Sequence, residues 1–396
     1  MRVLMVLESE FPPDLRVENE MLALTGSGFE VHLACSAKRN QPEKELFGKA
    51  VIHRKKMSQF IYKSSVGCLR FPFYFNFWRK HILNLLKKDK YDAIHVHDLP
   101  LSKLGVEVKK KYKIPLVIDL HENWPGLLKY APHAQTIIGR LVSSNEQWTQ
   151  YEKDMLQKAD LVLTVVEEAR DRIASLGIGN EKLCIVSNTL NTDTIQSHDR
   201  KRADNDFVLF YGGGLNRHRG LQIVLNAIKI LKDRNIKIRL EIAGSGSYKG
   251  TLEKQALKLG ISPIVTFHGQ KPLNDMLELL AEADAAIIPH LRTDNNDATI
   301  PHKLFQYMYQ KKTIISSDCP PLKRIINETG SGFTYQSDSP EELADLIERI
   351  FTDETLLESA GRNGNKAVIE KYNWKVDKQR LLESYNQLTR TMTNKV

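Results

Sequence analysis

Apolar and polar positions alternate along the first half of the chain in blocks that predict strands and helices in turn. The short, nearly all-apolar runs Ala93–His97 and Leu116–Leu120 are typical of strands in a parallel sheet covered on both faces. Between such runs, apolar residues recur at helical spacing, as in Glu18–Thr25. The other strands predicted in this half are Val3–Leu7, Gly28–Cys35, Leu161–Val165 and Cys184–Val186.

The alternation restarts after a polar, unpatterned stretch, Ser187–Asp206, which we interpret as a linker. The chain therefore predicts an α/β protein of two Rossmann-like, doubly wound domains, 1–190 and 207–372, with a C-terminal helix over 373–396. Two such domains facing each other would form a cleft at the carboxyl ends of their strands. The strands predicted in the second half are Phe207–Tyr211, Ile238–Ala243, Val265–Phe267, Ala285–Ile288 and Thr313–Ser316.

Composition agrees with two globular domains, since the chain has 396 residues, of which 41% are hydrophobic and 27% charged. The four cysteines lie far apart without a CxxC pair, which predicts a reduced compartment and no disulfide or zinc framework. The first apolar run stops at Glu8, and no run approaches the roughly 20 residues that span a membrane. We therefore expect a cytoplasmic protein.

The net charge of +9 is concentrated between Lys38 and Lys113, where lysine and arginine far outnumber acids. Within this region, Phe71–His81 is rich in aromatic residues and ends in bases. Aromatic and basic residues together favour a peripheral contact of 54–90 with an anionic membrane face. A helix packed in the core with a solvated basic face explains the pattern equally well. No nucleic-acid motif accompanies it, so we expect no nucleic-acid partner.

A glycine turn in the middle of the chain predicts a phosphate site. The apolar run Phe207–Tyr211 leads into three glycines at 212–214, and Arg217, His218 and Arg219 follow before the next helix. Glycines let a backbone approach a ligand closely, and amides at a helix start together with arginines favour an anion. The alternative is a plain strand–helix turn whose arginines are solvated.

A second glycine loop, with Gly244, Gly246 and Gly250, follows the strand that ends at Ala243. A dinucleotide fingerprint would need an acidic residue at the end of the next strand. That strand ends in His268-Gly269. A nicotinamide cofactor is therefore disfavoured, while the glycines still permit a ligand to approach.

Polar residues elsewhere add candidate chemistry. Pro301 suits the first position of a helix, and Lys303 would then lie in the first turn, where a cation is unfavourable unless it binds an anion. In the first half, His97 and Asp98 end one buried strand, and the segment Asp119–Asn123 ends the neighbouring one. Two adjacent strand ends with histidine and acid predict a polar cluster facing the cleft, although a single such histidine is often structural.

Taken together, the order and spacing of these motifs resemble a family 4 glycosyltransferase of the GT-B fold over nearly the whole chain. The segments that carry the resemblance are Phe11–Val31, His95–Asp98, Asp119–Asn123, Ala159–Val165, Tyr211–Leu221, Ala243–Glu253, Val265–Gly269 and Ile300–Asp318.

The resemblance implies a retaining enzyme that transfers a sugar from a nucleotide-sugar to a glycan or lipid-linked acceptor in cell-surface polysaccharide synthesis. It implies neither a metal nor a cofactor. The first domain would bind the acceptor and the second the donor, and the final helix would cross back to the first domain.

The resemblance also implies roles for individual residues. The catalytic candidates are His121, Arg219 and Lys303. The donor-binding candidates are Gly213, Gly214, Arg217, Gly244, Gly246, Thr299 and Gln306. The candidates for the acceptor site or the cleft are Asp14, Arg16, His97, Asp98 and Glu122.

The chain departs from the family pattern at two places. Gly213 stands where the family has a phosphate-binding arginine, and Ala298 and Gln306 stand where it has paired glutamates. Arg217 or Lys303 would replace the missing arginine, and Gln306 would still bind a ribose hydroxyl. Two alternatives therefore stay open: a scaffold subunit of the same fold without catalysis, and a sugar-nucleotide epimerase.

Overall fold

The structure is a computed structural model that describes most of the chain. Residues 198–205 of the predicted linker lie outside the described residues. The described residues are 1–37, 41–131, 136, 139, 142–197 and 206–393.

The chain divides into two compact units. Unit 1 comprises Met1–Ser187 together with Asp377–Val396, and unit 2 comprises Asn188–Val376. The first residues after Ser187 belong to unit 2 because Asn188 donates a hydrogen bond to the carbonyl of Ile300, and Leu190 pairs with Asn373.

Unit 1 is built on an eight-stranded sheet in the order β3-β4-β2-β1-β5-β6-β7-β8, parallel except for β3, which runs antiparallel to β4. Every residue of β5 and β6 is buried, as their apolar runs predict. The strands of the unit 1 sheet are β1 (Arg2–Glu10), β2 (Glu30–Ala37), β3 (Lys44–Phe47), β4 (Ala50–Lys56), β5 (Ala93–His97), β6 (Leu116–Leu120), β7 (Leu161–Thr164) and β8 (Leu183–Ile185).

Helices pack on the sheet of unit 1, and several begin at a clear cap. Ser144 forms a capping box with Gln147, and Asp14 accepts a hydrogen bond from the amide of Val17. The helices are α1 (Leu15–Gly26), α2 (Gln59–Ser64), α3 (Phe73–Lys88), α4 (Ser102–Tyr112), α5 (Trp124–Leu128), α6 (Asn145–Gln157) and α7 (Glu167–Ser175).

Much of the aromatic stretch at 71–81 is core. Tyr74, Phe75 and Trp78 on α3 are almost fully buried in the hydrophobic core of unit 1, whereas Phe71 and Phe73 are 49% and 47% exposed. Core packing therefore accounts for about half of the aromatic excess, and the exposed remainder is still available for another role.

Unit 2 contains a six-stranded, all-parallel sheet in the order β11-β10-β9-β12-β13-β14. Its strands are β9 (Phe207–Gly212), β10 (Ile238–Ala243), β11 (Val265–Gly269), β12 (Ala285–Ile288), β13 (Thr313–Ser317) and β14 (Gly332–Tyr335). Its helices are α8 (Leu221–Asp233), α9 (Lys249–Lys258), α10 (Leu273–Glu282), α11 (His302–Tyr309), α12 (Pro320–Thr329), α13 (Pro340–Phe351) and α14 (Glu354–Glu370).

The last helix, α15 (Trp374–Thr393), ends in unit 1, to which its residues from Asp377 onward belong. Tyr385 on this helix is fully buried, and its hydroxyl lies 2.7 Å from Nδ1 of His95 on β5. The predicted fold class, two doubly wound α/β domains with a final helix that returns to the first, is therefore confirmed.

Three strands, β3, β4 and β14, were not predicted from the sequence. The hairpin β3-β4 forms an edge of its sheet and carries mostly polar, partly exposed residues, and β14 is a four-residue edge strand. A small correction applies to Pro301, which precedes α11 at its N-cap instead of occupying its first position.

Candidate functional site

In unit 2 the predicted glycine turn lies at the carboxyl end of the central strand β9, next to the loop that follows β10. Gly213 adopts a positive φ of 136°, and its amide donates to the carbonyl of Ala243 at 2.8 Å. The amide of Leu215 donates to the carbonyl of Ser245 at 2.9 Å. The two glycine loops are therefore held together, backbone against backbone.

Gly244 and Gly246 are required for this packing. A Cβ atom on Gly244 would overlap the carbonyl of Gly213, and one on Gly246 would overlap the backbone of Leu215. The close approach that these glycines permit is thus that of the neighbouring loop. A direct contact of either glycine with a ligand stays a prediction.

Two cations meet beside the turn. Lys303, on the first turn of α11, places its ammonium nitrogen 4.0 Å from the centroid of the Tyr211 ring. Nη1 of Arg219 lies 3.0 Å from Nε2 of His290, which follows β12. Burial and the charges of Arg219 and Lys303 keep the pKa of His290 well below its usual range, so its neutral ring accepts this hydrogen bond.

Neither Lys303 nor Arg219 pairs with a carboxylate among the residues that the structure describes. Burial, with a further contribution from Arg219, holds the pKa of Lys303 well below its ordinary value. Two neighbouring cations without a counter-ion make an environment that an anion would stabilise.

The other predicted donor residues surround this pair. Gln306 is 8% exposed and lies three residues after Lys303 on α11, so the two side chains share a face of the helix. Thr299 is extended just before the helix, and Arg217 is exposed at the start of a single 3₁₀ turn. Gly214 is exposed, and its carbonyl accepts a hydrogen bond from the hydroxyl of Tyr211 at 2.8 Å.

Tyr307 is a supporting residue that the sequence did not reveal. Its buried hydroxyl accepts from the amide of Gly212 at 2.8 Å and lies 3.3 Å from the carbonyl of the same residue. It therefore attaches α11, which carries Lys303, to the end of β9. The only sequence signal is its place on the helix immediately after Gln306.

In unit 1, the predicted polar cluster forms at the ends of β5 and β6. Nε2 of His121 lies 2.8 Å, and Nδ1 of His97 3.2 Å, from the same carboxylate oxygen of Asp119. Asp98 adopts a positive φ of 60°, and its carboxylate accepts from the amide of His121 at 3.2 Å. The structure thus brings together the histidines and acids of the two strand ends.

The charge state of the cluster follows from its contacts. Burial alone would lower the pKa of His121, but Asp98 and Asp119 overcome it and raise the pKa to about 10. Burial alone would raise the pKa of Asp119, but Arg16 and His121 hold it well below its usual range. His121 is therefore an imidazolium, and it is partly exposed, with 15% of its side chain accessible, as is Asp98, with 28%.

Arg16 lies beneath this cluster and is only 3% exposed. Its Nε donates to Asp119 at 2.8 Å and its Nη1 to the carbonyl of Val186 at 2.6 Å. This side chain holds Asp119 in place, and a direct contact of Arg16 with an acceptor stays a prediction. Asp14 caps α1, and Glu122 is half-buried.

A donor set for a metal ion exists in the same cluster. The ligand atoms of Glu20, His95, His97 and Asp119 lie within 4.8 Å of one another, and all four residues are buried. Arg16 already supplies a cation to this group, with its Nε 3.3 Å from Glu20 and 2.8 Å from Asp119. A divalent ion here would face that positive charge, so the expectation of a metal-free enzyme is retained as a prediction.

Two family models match the chain in succession. "Glycosyltransferase Family 4" matches residues 16–194, and "Glycosyl transferases group 1" matches residues 193–367. An uncharacterized glycosyltransferase of Methanocaldococcus jannaschii is 25% identical over 307 residues, which is 74% of either chain. A Salmonella typhimurium glycosyltransferase named for colanic acid biosynthesis is 21% identical over 59% of this chain and 58% of its own.

Solved structures are similar in fold along nearly the whole length. Sucrose-phosphate synthase from Thermosynechococcus elongatus has a TM-score of 0.80 at 16% identity and covers 98% of this chain and 99% of its own. HepE of Anabaena, solved in complex with UDP-glucose, has a TM-score of 0.71 at 14% identity and covers 98% of this chain and 100% of its own.

Proposed function

Because the chain belongs to the family 4 glycosyltransferases and has the GT-B fold, we propose that it is a retaining, metal-independent enzyme. Its donor is a nucleoside diphosphate sugar, bound by unit 2. Its acceptor is a glycan or a lipid-linked glycan, bound by unit 1.

One observation carries the donor proposal: the two cations beside the glycine turn of β9, Lys303 and Arg219, have no carboxylate partner among the described residues. Cleavage of the bond between a sugar and a nucleoside diphosphate builds negative charge on the leaving phosphate. Lys303 and Arg219 are placed by α11 and by the loop after β9 to stabilise such charge. Because Gly213 has no side chain, the ammonium group of Lys303 can occupy the space beside it.

The proposal of retention rests on the family, and the residues at the family's glutamate positions bear on how retention would be achieved. Retaining hydrolases use two carboxyl groups about 5 Å apart, and Ala298 and Gln306 offer none. A front-face transfer needs no such pair. The bond from the anomeric carbon to the phosphate breaks, the acceptor oxygen bonds to the same face of that carbon, and the leaving phosphate takes the acceptor's proton.

The donor proposal is tested by calorimetry on the full chain with UDP, GDP and ADP. We expect one of them to bind, and Lys303→Ala or Arg219→Ala to weaken binding at least about tenfold. Turnover should fall by about 10²–10³-fold. Lys323→Ala, which removes an exposed lysine elsewhere in unit 2, is the matched control.

The binding results distinguish the proposed donor site from the scaffold alternative. Unchanged binding in both variants would contradict the placement of the diphosphate. A wild-type chain that binds none of the three nucleotides would favour the scaffold alternative. UDP-sugars are the first donors to try, because HepE of Anabaena was solved with UDP-glucose.

The chemistry is tested separately, once a donor and an acceptor are known. NMR of the product should show the anomeric configuration of the donor, and turnover should survive EDTA. An inverted product would refute retention, and a loss of turnover that Mg²⁺ or Mn²⁺ restores would refute metal independence.

A role in polysaccharide synthesis is supported by the similarity to the colanic acid glycosyltransferase.

We further propose that unit 1 contacts an anionic membrane through an aromatic patch formed by Phe60, Phe71 and Phe73. These side chains are 64%, 49% and 47% exposed, and the rings of Phe60 and Phe73 are 5.6 Å apart. No helix in the described part of the chain is long and apolar enough to cross a bilayer.

Two exposed bases, Lys63 and Arg70, lie in the segment that carries the aromatic patch. Aromatic rings with neighbouring bases suit the interface of an anionic bilayer. At low salt, the protein should float with phosphatidylglycerol vesicles and not with phosphatidylcholine vesicles. The double variant Phe60→Ser/Phe73→Ser should lose this binding, whereas Leu257→Ser, at an exposed leucine of unit 2, should keep it. Equal flotation of both variants would refute the patch.

A further inference from the structure

Unit 1 contains a pocket of about 290 Å³ at the carboxyl ends of its central strands. Its walls include Glu8 from β1 and Asp98 after β5, with Tyr62 and Trp124 from the helices above. In doubly wound folds this end of the sheet is where ligands bind. The volume lies near the lower end of the range for small-molecule sites, about 300–1,000 Å³, and suits a single sugar ring.

The pocket is acidic although the segment around it is strongly basic. Three carboxylates line it, those of Glu8, Asp14 and Asp98. All ten lining residues are described, and none is lysine, arginine or histidine. A ligand with a negative charge would therefore meet only like charge at the wall, which disfavours its binding.

Two of the carboxylates have partners outside the pocket. Asp14 accepts a hydrogen bond from the amide of Val17, and Asp98 faces the imidazolium of His121 at 3.5 Å. Glu8 is different because its side-chain partner, Tyr74, belongs to the pocket wall itself. Burial, together with the charge of Asp98, raises the pKa of Glu8 to about 7. This carboxyl would gain from a hydrogen-bond donor or a cation inside the pocket.

The aromatic residues complete the recognition chemistry. Tyr62, Tyr74 and Trp124 line the same space, and aromatic rings pack against apolar faces and attract cations. A sugar ring has both features that this wall complements: C–H faces that pack on aromatics and hydroxyl or ammonium groups that donate to carboxylates.

We propose that this pocket binds the terminal sugar of the acceptor, and that Glu8 selects a ring with hydroxyl or amino donors and no acidic group. The inference rests on the proposed transferase function and names the acceptor class within it. Uronic acids and phosphorylated sugars are excluded from the pocket. A lipid-linked acceptor would keep its phosphates outside it, near the basic segment.

The test compares three monosaccharides of matched shape: methyl glucoside, methyl glucosaminide and methyl glucuronide. Their dissociation constants are measured on the full chain by NMR titration at low salt. We expect the glucuronide to bind about two- to five-fold more weakly than the glucoside, as one screened charge contact implies. The glucosaminide should bind at least as tightly as the glucoside.

Variants of the protein test whether Glu8 causes this order of sugar affinities. The titrations are run at pH 8, above the pKa of about 7 of Glu8, so that Glu8→Gln keeps the shape and removes a charge. This variant should narrow the gap in affinity between glucuronide and glucosaminide. Glu43→Gln, at an exposed glutamate of unit 1, should leave the gap unchanged. Tyr62→Ala should weaken all three sugars and keep their order, which preserves the test if Glu8→Gln fails to fold.

Three results would overturn the proposal: a glucuronide that binds as tightly as the glucoside, an unchanged gap in Glu8→Gln, or no binding of any sugar to the wild type. Titration of the same samples with UDP, GDP and ADP keeps this outcome separate from the transferase proposal. If a nucleotide binds and no sugar does, only the pocket proposal falls. If no nucleotide binds, the donor proposal is refuted. The order of the sugar affinities still tests the pocket proposal in that case.

Discussion

The ammonium nitrogen of Lys303 lies 2.5 Å from the position that a Cβ atom on Gly213 would occupy. A side chain at 213 and the observed position of Lys303 therefore exclude each other. This relationship supports the hypothesis that Lys303 replaces the phosphate-binding arginine that the family pattern has at position 213. The lysine ammonium occupies the space that the missing side chain leaves, above the ring of Tyr211.

Gly213→Ala is expected to weaken binding of the nucleoside diphosphate at least about tenfold, because the methyl group displaces Lys303 and a positive φ strains alanine. Since Gly213→Ala and Lys303→Ala then remove the same interaction, the double variant should bind no more weakly than the worse single variant. Calorimetry measures the three affinities. Gly250→Ala is the control, because open space surrounds that position. Fully additive losses would contradict the displacement of Lys303.

Tyr307→Phe should destabilise unit 2 by about 1–3 kcal/mol, because it leaves the buried amide of Gly212 without its partner. Urea denaturation measures the loss. Tyr309→Phe, on the same helix but half-buried, should change stability by less than about 0.5 kcal/mol. Equal effects in the two variants would show that the hydroxyl of Tyr307 does not hold the end of β9.

Arg16→Met should destabilise unit 1 by about 3–5 kcal/mol, because the buried Asp119 would lose the guanidinium that pairs with it and keep the imidazolium of His121. Thermal unfolding provides the measurement. The control is Arg234→Met, whose exposed guanidinium pairs with Asp345 and Glu348 in solvent and should contribute little to stability. If Arg16→Met unfolds at the temperature of the control, Asp119 does not depend on Arg16.

The raised pKa of His121 predicts that the free energy of unfolding of unit 1 depends on pH. The pKa of His121 is raised to about 10 in the folded chain, against an ordinary value near 6.5. The folded state therefore holds the proton more tightly, so the stabilisation is complete below about pH 6.5 and is lost as pH rises to 10. The slope contributed by one group is at most about 1.4 kcal/mol per pH unit.

His121→Gln should flatten this decline between pH 8 and pH 10, as followed by urea denaturation at each pH. Glu20, whose pKa is raised to about 8 by burial and by Asp119, adds a decline of the same sign at lower pH. The comparison is therefore made above pH 8. Parallel curves for the wild type and the variant would refute an imidazolium at His121.

Strands buried on both faces were predictable because their apolar runs are nearly continuous. The predicted bounds of β5, β6 and β12 agree with the structure residue for residue. Those of β10 agree as well, although its apolar residues alternate with the half-buried Arg239 and Glu241. The hairpin β3-β4 was missed since its edge position leaves polar residues half exposed, and no periodic signal survives there. The start of helix α13 is marked in the sequence by Ser339, which caps the helix, and by Pro340 at its first position.

The candidate site was predictable as a set of residue types and not as a set of contacts. The glycines and cations of unit 2 stand out in the sequence, but the packing of Gly244 against the Gly213 backbone does not. Apart from the place of Tyr307 next to Gln306, Tyr307 and Glu8 gave no signal, because an isolated tyrosine on a helix and an acid at a strand end are ordinary features. Their roles arise from Gly212 and Asp98, which are remote in sequence.

The two-domain α/β architecture, the family resemblance and the positions of the glycine turns could be predicted from the chain, because they depend on local periodicity and on motifs a few residues long. Which residues became neighbours depended on how the whole chain folds. Parallel strands place residues about 90 positions apart at one edge of a sheet, as with Gly213 and Lys303 or Glu8 and Asp98. Charge, burial and the space for a side chain are properties of those neighbours, so they appeared only when the chain was folded.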